Sequence, residues 1–265
     1  MSFKQIGCIL AMKTAIFCLT RGYPNPAMYS RLVTRNMSIR KLIGTGSDII
    51  LFHEGNISPG HRQLVESKTP ELKIKWVEVP FRFPTDVPLP HETLVTFYDG
   101  SCYPGYHLMC EFHTCDVWDH LKDYDVVLRV DEDCILQGDW SNVFNEVSEE
   151  IPYRTPMFDV EIHALTNKTL PEWLGKDAVF YDESMPYTNV FVSRMDIWHR
   201  PDIRAWTESV RASRGCIKYR WGDAPIHGII LKKFGIGHGT MDGYDYYHGS
   251  HNRHVTSAKS EHVQG

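Results

Sequence analysis

The sequence predicts an α/β fold, with a central, mainly parallel mixed sheet flanked by helices. Three observations predict it. Short runs of strand-forming residues alternate with helical patterns through the first half of the chain, the mark of βαβ units. Chemically able residues, Arg21 and the pair Asp131/Asp133, fall just after two such runs, where ligands of parallel sheets gather. The 265 residues, 42% apolar and 23% charged, suffice for a substantial core and are too apolar for disorder.

The elements follow in order. Residues 14–20 read as the first strand. The apolar run 6–19 around them carries Lys13, is too short to cross a bilayer and is not followed by a small-residue cleavage pattern. No membrane span and a cytoplasmic location are therefore expected, with Met12 as an alternative start. A loop at 21–26 leads to a helix at 27–43, a strand at 48–53, a helix at 59–67 and a strand at 74–79. Prolines 80, 84, 88 and 90 mark an extended link. A helix at 103–121 precedes a strand at 125–130. Beyond it the expected elements are a helix at 140–149, strands at 157–165 and 188–193, and helices at 201–213 and 224–234. A single domain is expected, with a nucleotide-binding half over 14–133, an acceptor-binding half over 134–250 and a flexible tail over 251–265.

Composition excludes several function classes. The net charge of −5 offers no basic surface for nucleic acid. Seven cysteines, an odd number without a C-x-x-C pair, argue against a disulfide scaffold or structural zinc and suit a reducing compartment.

The segment 124–133 carries the chemistry. It delivers Asp131 and Asp133 at a strand end, and side chains two apart on extended backbone point the same way. Two oxygen ligands can then converge on one divalent cation that keeps open positions for phosphates. Arg129 or Arg21 can add a bidentate phosphate contact, although Arg129 can equally partner the nearby carboxylates. Thr20 stands beside Arg21 at the same sheet edge.

Three blocks resemble the glycosyltransferase family 15 α-mannosyltransferases, fungal enzymes that extend mannan from GDP-mannose. They are Gly105-Tyr106-His107-Leu108-Met109-Cys110-Glu111-Phe112, Arg129-Val130-Asp131-Glu132-Asp133 and Arg220-Trp221-Gly222-Asp223-Ala224-Pro225-Ile226-His227. The third is the specific one. The resemblance implies a GT-A nucleotide-diphospho-sugar transferase fold and a Mn²⁺ (or Mg²⁺) ion on the donor phosphates. It implies Asp131 as a metal ligand, with Asp133 beside it and a downstream histidine, His248 or alternatively His251. Tyr106 matches a tyrosine near the reaction centre. Tyr187, Asn189, Arg220 and Trp221 are implied at the substrate, and Glu161 as a further carboxylate. The implied partners are a nucleotide-sugar donor and a glycan or glycoprotein acceptor.

Two departures stand out. The family's proposed nucleophilic glutamate falls on Phe191, which can neither attack nor accept a proton, and Glu111 replaces an arginine. A retaining enzyme must then use front-face displacement, and an inverting one needs a base. Asp223, after a Trp-Gly turn and before Pro225, suits both a helix N-cap and that base, and inversion is the preferred reading. The alternatives are a UDP-linked or GDP-fucose donor, or a non-catalytic carbohydrate-binding protein on the same fold.

Overall fold

A computed structural model describes residues 12–87 and 105–256. Its main sheet has seven strands in the order β10-β6-β9-β4-β1-β2-β3. β1 (Thr14–Leu19), β2 (Asp48–His53), β3 (Lys73–Glu78) and β4 (Val126–Val130) run parallel. β9 (Val190–Arg194) lies antiparallel between β4 and β6 (Tyr153–Thr155), and β10 (His238–Thr240) runs parallel to β6. The expected mixed, mainly parallel α/β sheet is present. β1, β4 and β9 are apolar along most of their length because helices cover both faces.

One face packs Ile16, Cys18, Leu51, Leu128 and Val192 against Leu32 and Ile39 of α1 (Ser30–Leu42) and Val65 of α2 (Pro59–Lys68). Ser58 caps α2, its hydroxyl accepting from the His61 amide. The other face packs Phe17, Phe52, Val127 and Phe191 against a helical run beginning with α3 (Gly105–Glu111). That run passes through one π turn, Phe112–Asp116, into α4 (Val117–His120). α6 (Pro201–Ser213), α7 (Gly215–Tyr219) and α8 (Asp223–Lys233) complete this layer.

The chain lays β2 and β3 on one side of β1 and then crosses back to place β4 on its other side. The switch point between them leaves a crevice at their carboxyl ends. A second sheet closes it: β5 (Cys134–Gly138) pairs antiparallel with β11 (Tyr244–His248), which pairs with β12 (Arg253–Val255). A short ribbon of β7 (Phe158–Val160) and β8 (Ser184–Pro186) borders the crevice.

Three expectations are corrected. Residues 140–149 hold only a 3₁₀ turn, Val143–Asn145. Trp140 is buried there with its indole N–H donating to the carbonyls of Gln137 and Asp245, which ties the segment to the second sheet. The expected strand at 157–165 divides into β7 and the start of α5 (Ala164–Leu174), capped by His163. The tail expected from 251 is corrected over 253–255, which form β12 on β11, and positions 257–265 lie outside the described residues. The helical run at 103–121 begins within the described residues at Gly105; positions 103 and 104 lie outside them. The expected halves share the main sheet, since β9 pairs directly with β4.

Candidate active site

Two cavities of about 490 and 440 Å³ adjoin at the carboxyl ends of β1 and β4. Tyr106, Met109, Arg129, Asp131 and His251 line both. The first also holds Glu161, Tyr187, Asn189, Arg220 and Asp223. Thr20, Arg21, Glu132 and Asp133 line the second. The fold thus gathers the expected residues from distant parts of the chain.

Arg129 is the hub. β4 turns its side chain toward the α8 layer, where it is 2% exposed. Its Nε and Nη2 donate to the two oxygens of Asp131 at 2.7 and 3.2 Å, and Nη1 donates to Asp223 Oδ2 at 2.6 Å. Asp223 is the first residue of α8, with Gly222 rather than Asp223 as the N-cap. Burial opposes its ionisation, but the Arg129 charge, with His113 and His227 nearby, pulls its carboxyl down to about 2.

Residues 131–133 are not extended. They form a turn closed by the Cys134 amide donating to the Asp131 carbonyl at 3.0 Å. The turn gives the two aspartates different partners, although both line the second cavity. Asp131 sits on Arg129 and accepts from Asn189 Nδ2 at 3.2 Å. Asp133 faces His248, Oδ1 to Nε2 at 3.6 Å. Glu132, which sequence reasoning passed over as a spacer, turns into the second cavity and accepts from the Thr20 and Tyr23 hydroxyls.

Among the described residues, Asp133, Cys134 and His248 form a group able to hold a metal ion. Burial keeps the Cys134 thiol protonated, its pKa well above the ordinary value, so Asp133 and His248 are the better donors. Tyr187 Oη lies 2.8 Å from His248 Nδ1 and 2.7 Å from His251 Nδ1. If His248 Nδ1–H donates to that oxygen, the phenol donates onward to His251. The Nε2 lone pair of His248 then points toward the Ser250 hydroxyl at 3.0 Å and Asp133 at 3.6 Å, leaving it free of its own proton as a ligand histidine needs. Burial lowers the His248 pKa against the pull of Asp133 and Asp131, which favours the neutral ring. Asp131 and Asp223 share one guanidinium while Asp133 faces the neutral His248 ring, an excess of negative charge that a divalent cation would offset. The donor set therefore fits a hard or borderline divalent ion.

The Trp-Gly-Asp corner is built on packing. Arg220 adopts a left-handed conformation, φ 58° and ψ 33°, and lays its guanidinium 4.6 Å from the Tyr106 ring. Trp221, expected as an acceptor platform, is instead fully buried beneath the cavity. Its ring takes the space a side chain at Gly215 would need, 1.9 Å from an added Cβ, and Nε1 donates to Thr169. Glu161 lines the first cavity while its Oε1 accepts from the His163 amide at 2.8 Å. Phe191 is 1% exposed and stacks on Tyr153 at 5.0 Å, so the glutamate of the resembled family has become core. Glu111 lies on the far side of α3, on a separate cavity with Phe81, Phe112 and Arg211, and lines neither of the two adjoining cavities.

No established family profile matches the chain. It is 27% identical to a "Glycolipid 2-alpha-mannosyltransferase" of Saccharomyces cerevisiae over 52% of the chain and 36% of that protein. It is 26% identical to an "Alpha-1,2 mannosyltransferase KTR1" of the same yeast over 54% of the chain and 43% of that protein. The chain thus spans well under half the length of the curated relatives it matches. These relatives are the fungal mannosyltransferases that the three motif blocks resemble. The mannosyltransferase Ktr4p of S. cerevisiae superposes with a TM-score of 0.71 at 13% identity, covering 90% of this chain and 70% of that one. The core-mannan synthase A of Aspergillus fumigatus, in a Mn/GDP form, gives 0.66 at 14% over 89% and 74%. The galactosyltransferase LgtC gives 0.54 at 14% over 86% and 73%. The fold is that of the GT-A glycosyltransferases.

Proposed function

We propose that the chain is a metal-dependent glycosyltransferase that moves a sugar, with GDP-mannose as first-choice donor, to a hydroxyl of a glycan or glycoprotein acceptor. The observation that carries this reading is the junction of two cavities at Arg129, Asp131 and Tyr106. A donor in one and an acceptor in the other would meet there. The names of the relatives and the Mn/GDP form of one structural neighbour support the mannose, GDP and manganese assignments. Among the described residues five cysteines are buried and free, which suits the cytoplasmic placement expected from the sequence.

Asp133 and His248 would hold the ion, with Asp131 close behind. A divalent ion at this place supplies neutralising charge for a leaving diphosphate. Arg21 and Arg31 line the donor cavity and add positive charge there. Glu132 fixes the loop after β1 through Thr20 and Tyr23. Glu161, Tyr187, Asn189 and Arg220 line the side assigned to the acceptor.

The base reading of Asp223 loses support from its surroundings. A carboxylate held at about 2 by Arg129 is poorly matched to a sugar hydroxyl. The better-supported course is front-face displacement. The acceptor oxygen bonds to C1 as the bond from C1 to the phosphate oxygen breaks. That bond's electron pair stays on the phosphate, which takes the hydroxyl proton. Asp223 then keeps Arg129 in place and lines the acceptor cavity. Configuration is retained, which agrees with the α-linkage in the names of the relatives.

The test is an assay of purified protein with GDP-mannose, GDP-fucose and common UDP-sugars, with and without EDTA, followed by NMR of the product anomer. EDTA-sensitive turnover of GDP-mannose with retained configuration is expected. Absence of both nucleotide-sugar binding and turnover across the panel would overturn the enzyme reading in favour of a carbohydrate-binding protein.

A further inference from the structure

The segment between β7 and α5 borders the first cavity and carries Ile162, which lines that cavity and is 89% exposed. Single exposed apolar side chains are ordinary, but this one stands on a fixed backbone. The Glu161 amide donates to the Glu183 carbonyl at 2.9 Å, and the Glu161 carbonyl accepts from Asn167 Nδ2 at 2.9 Å. The His163 amide donates to Glu161 Oε1 at 2.8 Å, and His163 in turn caps α5. Both neighbours of Ile162 are therefore anchored, and the isoleucine is held outward. Buried Arg129 and Asp223 mark the inner end of the cavity, so Ile162 marks its mouth. Met185 lines the same cavity, and Val160 on β7 is 52% exposed nearby in the chain.

We propose that Ile162 forms an acceptor subsite for an apolar side chain of a glycoprotein, next to the residue whose sugar enters the cavity. The proposal rests on the glycosyltransferase reading and deepens it by naming the acceptor class. The apolar surface at the mouth is narrow and bounded by polar groups. Glu161 and His163 flank Ile162, and Asp182 and Glu183, both exposed, precede β8 on the neighbouring ribbon. That width suits one amino-acid side chain rather than a long hydrocarbon tail. The acidic neighbours also disfavour the anionic surface of a membrane. An apolar prong already fixed in place can cover a partner without the entropy cost of ordering itself.

The experiment measures transfer from GDP-mannose, with Mn²⁺, to short mannosyl-serine peptides carrying leucine or serine beside the sugar-bearing residue, and to methyl and octyl α-mannosides. Wild type should favour the leucine peptide over the serine peptide by roughly 5- to 20-fold in kcat/KM, the size expected for covering part of an exposed isoleucine. Ile162→Ser should abolish that preference, and Ile162→Leu should keep it. Val179→Ser, at a valine that is 80% exposed and lines neither cavity, should keep it as well. No preference in wild type, or a preference that survives Ile162→Ser, overturns the proposal. So does an octyl mannoside that outperforms the leucine peptide in wild type and loses its advantage in Ile162→Ser, since the subsite would then belong to a lipid chain. Transfer to methyl mannoside with the two peptides treated alike strikes the subsite alone. Failure to bind GDP-mannose and to transfer to every acceptor sinks the glycosyltransferase reading, and the proposal with it.

Discussion

Replacing Arg129 by methionine tests the electrostatic core of the site most directly. The guanidinium is 3% exposed as a side chain and bonds Asp223, itself 7% exposed, at 2.6 Å. Removing it leaves one deeply buried carboxylate and one partly buried carboxylate, Asp131, without a counter-charge. Breaking a buried pair in this way costs about 3–5 kcal/mol. The pH dependence has a definite sign. In the wild type the Asp223 pKa is depressed from 3.8 to about 2. Its contribution, on the order of 2 kcal/mol, is therefore present above pH ~4 and lost as pH falls toward ~2. In Arg129→Met burial acts alone, the pKa moves above 3.8, and the ionised carboxylate destabilises the fold at neutral pH. Urea unfolding at pH 7 and pH 4 should show a large gap between wild type and variant that narrows in acid. A gap below ~1 kcal/mol at pH 7, or one that widens in acid, would refute the reasoning.

Other changes make separate tests. Phe191→Glu puts a carboxylate against Tyr153, Phe17 and His227 in the core, and should cost several kcal/mol by urea melting without creating a nucleophile. Asp133→Asn and His248→Ala should each abolish or severely weaken Mn²⁺ binding by calorimetry. Tyr187→Phe should weaken it by roughly 10- to 100-fold through loss of histidine orientation, whereas Cys134→Ser should leave it within a few fold. Gly215→Ala drives a methyl into the Trp221 ring, so it should shift that tryptophan's fluorescence and lower stability by about 1–3 kcal/mol.

The parts of the fold legible in the sequence are those with strong period and clear punctuation. β1, β2, β3 and β4 are continuous apolar or alternating runs, and Ser58-Pro59 announces α2. The second half resists because its strands are short and owe their conformation to pairing partners far away, as β6, β10 and β12 do. α5 was hidden because β-branched residues just before it resemble a strand and because Pro171 lies inside it. Site membership was more legible than site geometry. Arg129 meets Asp131 and Asp223, and Asp133 meets His248, but the turn at 131–133 decides which partner each carboxylate takes. A two-residue spacing cannot reveal that turn. Glu132 left no motif, since what a spacer position faces becomes visible only in three dimensions.

The second sheet sets His248 directly opposite Cys134, joining two halves of the proposed ion-binding place across more than a hundred residues of chain. Such a long-range pairing forms late in folding. During synthesis the early strands can assemble on the ribosome while Asp133 waits for its histidine, so a nascent chain interrupted before β11 would be folded in its first layers and still unable to bind the ion. Metal affinity would thus report that this distant closure has taken place.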